Sequence, residues 1–433
     1  MQSSPAEAQT TKAQTTKATA TKEVHRYRLL AASGLSCGAL ASGGNLPAIC
    51  MVQIAAQFQL TDSQSGMFFA VSPTITLVTL PIFGLLGERW GKQGFLVASL
   101  LLLAIAMFAY HSATNFSHLL MGSVALGLSC SVIDALISPL VVDLYPKRAA
   151  PAMNLVHCCF QIGIAATAVI AGIYLAQGGD WTNTFFPLLI AGVVLAIVLA
   201  VTKFPAAVQH AAPEGLLKLL TNPSFWLCSV VIAMAGGVEA GIFNWISSFL
   251  QRRFDMEATS NWLMENIGLT DPAPLLGAMG LVLFAAPMVF GRWFYGSIAE
   301  RFGYVRTLIT SCVICAISIG GLGMANTVEV SIFWLALLGL AISGIWPTLL
   351  ILAGQIIPAN PPTLFSLLGM AGLAGVGICS WAVGQIADYS EELQLGLGAL
   401  IVPVLASIVA LALLGQPRFH APMSTYEKPK ADQ

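Results

Sequence analysis

Apolar residues in this chain come in long uninterrupted runs. Twelve runs, centred near residues 42, 76, 103, 132, 163, 194, 238, 287, 315, 342, 374 and 405, stand out along the sequence. Each reaches the roughly 20 residues that carry a helix across a bilayer. Period-two alternation is absent from them, which argues against a β-barrel. The pattern predicts an all-α membrane protein of twelve transmembrane helices. A segment from Lys203 to Asn222, with Pro205 and Pro213, separates six runs from six. The expected organisation is a tail at 1–24, a six-helix half at 25–204, a linker at 205–222, a second six-helix half at 223–416 and a tail at 417–433. Residues 1–24, rich in Thr, Lys, Ala and Gln, have no apolar run and predict disorder. The first run begins near Leu29 and is too long for a cleavable signal peptide.

Composition strengthens this reading. The 433 residues are 57% hydrophobic and 9% charged, against about 25% charged in a soluble domain. A net charge of −1 gives no electrostatic footprint for nucleic acid, and none is expected as a partner. The expected partners are a small-molecule solute and the lipid bilayer, with the protein a monomer. All nine cysteines fall inside apolar runs, and Cys312-Val-Ile-Cys315 lacks a second ligand pair. They are read as small buried hydrophobes, with no metal site.

The distribution of cations sets the topology. With the N-terminus inside, 16 of the 19 Lys and Arg residues fall in cytoplasmic segments. The external loops keep only Arg252 and Arg253, and Arg292 lies within a run. Both termini are expected in the cytoplasm, in a multi-pass protein of the plasma (inner) membrane.

A repeat then appears. Gly84-Leu-Leu-Gly-Glu88-Arg89-Trp-Gly91-Lys92 and Gly296-Ser-Ile-Ala-Glu300-Arg301-Phe-Gly303, 212 positions apart, share one pattern. Each lies between the second and third spans of its half, on the cytoplasmic side. Gly43-Gly44 and Gly236-Gly237 repeat with an offset of 193, shortened because 252–274 is an external insertion in the second half. Parallel six-helix repeats suit alternating access around a site at the bilayer midplane.

The two acid-Arg-x-Gly motifs and the twelve-span plan resemble the major facilitator superfamily. Asn154-Leu-Val-His157-Cys-Cys-Phe160-Gln-Ile-Gly163, Gly237-Val-Glu239 through Trp245, Gly344-Ile-Trp-Pro347-Thr348 and Gly384-Gln-Ile-Ala-Asp388 are similar to its fucose–proton symporter-like branch. The resemblance implies two pseudo-symmetric six-helix halves and solute transport, with a sugar-like solute first.

Ionisable groups at membrane depth are costly, roughly 2.5 to 3.5 kcal/mol on insertion scales, so each needs a reason. Near mid-span stand Asp134, His157 and Glu239, with Asp143 and Arg292 nearer the cytoplasmic ends. Asp134 or Glu239 is the expected proton carrier; the bland readings are a packing acid and an interhelical clamp. Asn154, His157, Cys158 and Gln161 share one face of the fifth helix. With Asn45, Asn244 and Trp245, that face is the candidate solute site, against hydrogen bonding between helices; Trp346 is a weaker aromatic candidate. Arg292 would meet a carboxylated solute by bidentate pairing, or else belongs with the cytoplasmic gate of Gly84, Glu88, Arg89, Gly91, Asp143, Gly296, Glu300, Arg301 and Gly303. Gly34-Leu-Ser36-Cys-Gly38 has hydrolase-elbow spacing but no preceding strand, and is read as helix packing.

No nucleotide loop or zinc motif is present in the sequence. No enzyme activity and no cofactor are expected, and transport is facilitated or ion-driven, with a proton gradient as the energy source. The expected function is proton symport of a small polar solute. The alternatives are an exporter or organic-anion or metabolite carrier of the same fold, and a non-transporting membrane receptor.

Overall fold

The computed structural model describes residues 5–145, 149–205, 219–254, 269–357 and 361–416, without the side chains of residues 5–25, Glu88, 149–151, Asn154, His157, Pro361 and Pro362. The expected tail at 417–433, most of the linker at 205–222, most of the insertion at 252–274, and Lys147 and Arg148 lie outside the described residues.

The continuous apolar runs become helices because a helix satisfies every backbone polar group within its own segment. In chain order these are α1 (Pro5–Phe58), α2 (Asp62–Trp90), α3 (Lys92–His111), α4 (Phe116–Leu144) and α5 (Ala149–Ala176). A 3₁₀ turn at Trp181–Phe185 leads into α6 (Phe186–Val201). Then come α7 (Pro223–Arg253), α8 (Ala273–Phe302), α9 (Tyr304–Gly323), α10 (Val328–Ile342) and α11 (Ile345–Ile356). The last are α12 (Pro361–Ser390), α13 (Leu393–Gly398) and α14 (Ile401–Leu414). Twelve segments are long and apolar enough to span a membrane, the tenth combining α10 and α11 and the twelfth α13 and α14. Among the described residues there is no strand. The backbone of residues 5–24, expected as a disordered tail, continues α1 instead; its Ala, Gln, Lys and Glu residues are good helix formers.

Polar side chains mark where helices start. Asn115 accepts from the His118 amide, Asp180 from Thr182, Asn222 from Ser224 and Thr327 from Val330, each occupying an amide that the first turn leaves unpaired. Apolar residues at helical spacing stay exposed, as with Leu101, Ile105 and Phe108 on α3 and Ile190, Val194, Ile197 and Val201 on α6. Such faces suit lipid rather than water.

The chain forms two compact units whose borders differ from the expected halves. One holds the chain up to Pro47, Ile75–Ala171 and the segment from Gly179; the other holds Ala48–Thr74, Gly172–Gly178 and the C-terminal helices. The second unit gains these pieces through direct backbone contact. The Ala176 carbonyl accepts from the amides of Thr270 (2.7 Å) and Asp271 (3.0 Å). A Cβ on Gly66 would come within 3.0 Å of the Trp381 carbonyl.

Within the first unit, α1 and α5 meet through small residues. A Cβ on Gly34 would lie 2.9 Å from Cys159 Sγ, and one on Gly163 would overlap the Gly38 carbonyl. The Ser42 hydroxyl donates to the carbonyls of Gly38 (2.9 Å) and Gly163 (3.1 Å). The Gly34–Gly38 spacing is thus a packing surface that lets backbones approach. The second unit repeats the device between α7 and α12. A Cβ on Gly375 would overlap the Ala233 carbonyl, and one on Gly237 would lie 2.7 Å from the Gly375 carbonyl. The first and fifth helices of each six-helix set therefore pack alike.

The duplicated motif has a structural cause as well. Gly91 and Gly303 sit at φ 92° and 93°, each as the residue before α3 and α9. That backbone region is essentially restricted to glycine. Gly91→Ala and Gly303→Ala should each lower stability by about 1–3 kcal/mol, measured by chemical unfolding in detergent. Gly296→Ala, where an added Cβ meets nothing within 4 Å, should be nearly silent in the same assay.

Candidate functional site

The charged groups at depth separate into distinct places. In the second unit, Arg292 on α8 faces Glu239 on α7, with Nη2 4.0 Å from Oε1 and side-chain exposures of 38% and 25%. Arg292 Nε also donates to the Ser343 carbonyl at 3.2 Å. Ser343 and Gly344 interrupt the tenth span between α10 and α11. α8 fits around this break. A Cβ on Gly291 would overlap the Ser343 hydroxyl, and one on Gly344 would overlap the Tyr295 ring. The Tyr295 hydroxyl is anchored on Ser311 at 2.7 Å. Arg292, expected with Glu300 and Arg301 in the cytoplasmic gate or else facing a carboxylated solute, lies 4.0 Å from Glu239 of α7. Its long side chain reaches a neighbouring helix, which spacing along its own helix does not reveal. The cation nearest Glu239 among the described ion pairs is thus on α8 of the same unit.

Asp134 lies in the first unit on α4, exposed beside buried Val132, Ile133 and Leu136. Among the described residues no ion pair reaches it. One residue turn away, the hydroxyls of Ser131 and Thr79 of α2 are 2.5 Å apart. On α5, the side chains of Asn154 and His157 lie outside the described residues. Cys158 is exposed and Gln161 half-buried. The amide oxygen of Gln161 is buried and has no hydrogen-bond partner among the described residues.

Three groups of the expected solute site, Asn45, Asn244 and Trp245, make hydrogen bonds to the protein itself. Asn244 Nδ2 donates to Ser380 Oγ and Trp245 Nε1 to the Ser380 carbonyl, both at 2.9 Å. Trp245 is 0% exposed and meets Phe69 edge-on at 5.6 Å. It holds α7 to α12 and α2 rather than offering a face to a solute. Asn45 Nδ2 donates back to the Ala41 carbonyl of its own helix at 2.9 Å.

Among the residues expected to form the gate, Asp143 pairs with Lys92, both side chains being 6% exposed. The pair joins the start of α3 to the last turn of α4. Positions 212 further on hold Tyr304 and Gln355, which cannot form such an ion pair. Arg89, Glu300 and Arg301 are exposed, with Arg301 over the Phe302 ring at 5.5 Å. The Glu88 side chain lies outside the described residues. Gly84 has only the Ala135 methyl near a would-be Cβ, at 4.0 Å.

A cluster missed from sequence lies at the end assigned to the exterior. Arg252 of α7 pairs with Asp62 at 2.7 Å. Asp388 of α12 accepts from the Asp62 amide at 2.9 Å, and Thr61 and Ser63 also donate to it. An acid from α12 thus caps the N-terminus of α2, where the helix dipole favours negative charge. The signals were present: Asp388 ends the Gly384-Gln-Ile-Ala-Asp388 run, and Arg252 is one of two external cations. Asp388→Ala should speed amide exchange in the first turn of α2 by about tenfold, the loss of one charge-assisted hydrogen bond. Unchanged exchange would remove Asp388 from this role.

Comparison with known proteins agrees with this geometry. The sequence model of the Major Facilitator Superfamily matches residues 31–294. A 3-(3-hydroxy-phenyl)propionate transporter of Escherichia coli (strain K12) is 28% identical over 236 residues, covering 51% of this chain and 54% of that protein, about half of its length. The class H tetracycline resistance protein of Pasteurella multocida is 23% identical over 367 residues, covering 78% and 84%. Among solved structures, a bacterial homologue of the human lysosomal transporter Spinster, inward-facing and occupied, gives a TM-score of 0.75 at 15% identity over 92% of this chain and 99% of that one. A variant of the nucleoside transporter NupG gives 0.75 at 10% identity over 90% and 100%. At those identities the likeness to the solved structures is one of fold. The family match, the twelve apolar helices and the duplicated glycine turns place the chain in the Major Facilitator Superfamily of membrane transporters, and it belongs to that family.

Proposed function

We propose that the protein is a proton-coupled secondary transporter of a small polar solute, working by alternating access with Glu239 as the proton carrier. The observation that supports this reading is the Glu239–Arg292 pair. An acid and a cation at membrane depth, both partly exposed and 4.0 Å apart, form a switch rather than a tight structural bridge. A charged Glu239 holds Arg292. A proton on Glu239 removes that charge and frees the guanidinium for acceptor atoms on the solute. Release of the solute lets Arg292 attract Glu239 again and expel the proton. Asp134, exposed and without a cation among its described neighbours, is the second acid and is assigned to solute hydrogen bonding. The exposed arginines of the duplicated motif act as conformational residues. The protein is taken to work as a monomer in the plasma (inner) membrane, with both termini cytoplasmic.

Relatives named for a phenylpropionate, tetracycline and uridine leave the solute open, so the test begins with a screen. Sugars, amino acids and carboxylates are tried for thermal stabilisation of the purified protein. Solutes that stabilise it are then offered to proteoliposomes under an inside-alkaline pH gradient. Accumulation that collapses with a protonophore is expected. Equilibration without accumulation, unaffected by the gradient, overturns the coupled reading in favour of a facilitator.

A further inference from the structure

Within the second unit, the Arg292 guanidinium is held in a way that selects its partner. Its Nε is fixed on the Ser343 carbonyl at 3.2 Å. The terminal nitrogens are left for a further acceptor, and a planar fork of N–H groups matches a carboxylate. The carboxylate nearest that fork is Glu239, and 4.0 Å is longer than a hydrogen bond. Glu239 thus faces the guanidinium without a direct hydrogen bond between Nη2 and Oε1. The N-terminal end of α11 begins at Ile345, beside the same break, and its dipole adds positive potential there.

Trp346, two residues after Gly344, is half-buried. A Cβ on Gly236 would lie 3.0 Å from the indole, and one on Gly372 would overlap it. Glycines on α7 and α12 therefore make room for this ring. Gly236 is one turn before Glu239 on the same helix, so the ring and the ion pair are neighbours along α7 as well as along the tenth span. By contrast, the groups expected to bind a polyol, Asn244 and Trp245, are both occupied by Ser380.

We infer that the solute is an organic carboxylate, its charge taken by the terminal nitrogens of Arg292 and its apolar body lying against Trp346. The inference rests on the reading of Arg292 as the group that Glu239 releases. In the exchange, Glu239 gains one proton, its ion pair with Arg292 breaks, and a new pair forms between Arg292 and the solute carboxylate. The only covalent change is the O–H bond formed on Glu239, its proton coming from solvent; the other changes are exchanges of ion pairs. One proton and one monoanion move together, so the step carries no net charge.

The test is equilibrium binding to the purified full chain in detergent. The probes are benzoate, phenylacetate and 3-phenylpropionate, each beside its neutral amide, with galactose as a polyol control. At least one acid should bind about tenfold or more tightly than its amide. Arg292→Ala should lose that preference, and Arg292→Lys, which keeps charge without the fork, should retain only part of it. Glu239→Gln should bind the acid about threefold tighter, because an internal competitor of exposed-pair strength is gone. If Arg292→Ala does not fold, the Lys and Gln variants still decide. Acids and amides bound equally, no acid bound at all, or an acid preference unchanged in the Arg292 variants would overturn the carboxylate assignment. Gradient-driven accumulation of a neutral solute would at the same time leave proton coupling standing, so the two readings fail separately.

Discussion

Replacing Glu239 with Gln is expected to abolish concentrative uptake while leaving exchange intact. One pH unit is worth about 1.36 kcal/mol, so an inside-alkaline gradient of that size sustains about tenfold accumulation when one proton accompanies each solute. Glutamine keeps the shape and the hydrogen-bonding capacity of a protonated glutamate but cannot release a proton. In proteoliposomes with the membrane potential clamped, the Glu239→Gln ratio should therefore fall to about one. Counterflow, which needs no net proton movement, should persist and shows that the variant folds and cycles. Asp134→Asn should keep most of the gradient response and lose solute affinity instead. If Glu239→Gln still accumulates solute about tenfold, the proton travels elsewhere, with Asp134 the next acid to examine.

The second large effect concerns stability. Lys92 and Asp143 are each 6% exposed and are joined to one another. Removing one partner leaves an uncompensated charge out of water, which costs about 3–5 kcal/mol. Lys92→Ala should show that loss in chemical unfolding. The double replacement Lys92→Met with Asp143→Leu should recover most of it, because well-packed apolar residues often replace a buried pair at little cost. Tyr304→Ala, at the corresponding place in the second half, leaves no charge behind and should cost less. A Lys92→Ala variant within about 1 kcal/mol of the parent would mean that the pair is screened by water, as surface pairs are.

Much of the architecture was legible because each feature was local. Continuous apolar runs need no partner to be recognised, and all twelve appear as spans. Gly91 and Gly303 were readable as a repeat, and their shared positive φ gives the repeat its physical cause. The site was less legible because its partners are far apart in sequence. Trp245 looked like an aromatic platform, yet its N–H is held by Ser380, a residue 135 positions away. Arg292, one turn before Gly296, looked like part of the gate; its partner Glu239 is on another helix. In the run centred near 342, Pro347 after Trp346 was the one sign of a kink; that the helix breaks at Ser343 and Gly344 was not legible, since both are small and uncharged. Asp62, Arg252 and Asp388 each read as rim charges until folding joined them. Periodicity reports which face a residue occupies, not which distant residue that face meets.

The central claim, that the coupled proton resides on Glu239, is tested most directly by the pH change on solute binding. Purified protein is held in lightly buffered detergent solution, and the solute retained by the screen is added. The wild-type protein and Asp134→Asn should take up protons as they bind, and Glu239→Gln should bind the same solute without taking up any. Equal proton uptake by Glu239→Gln and the wild type would contradict it.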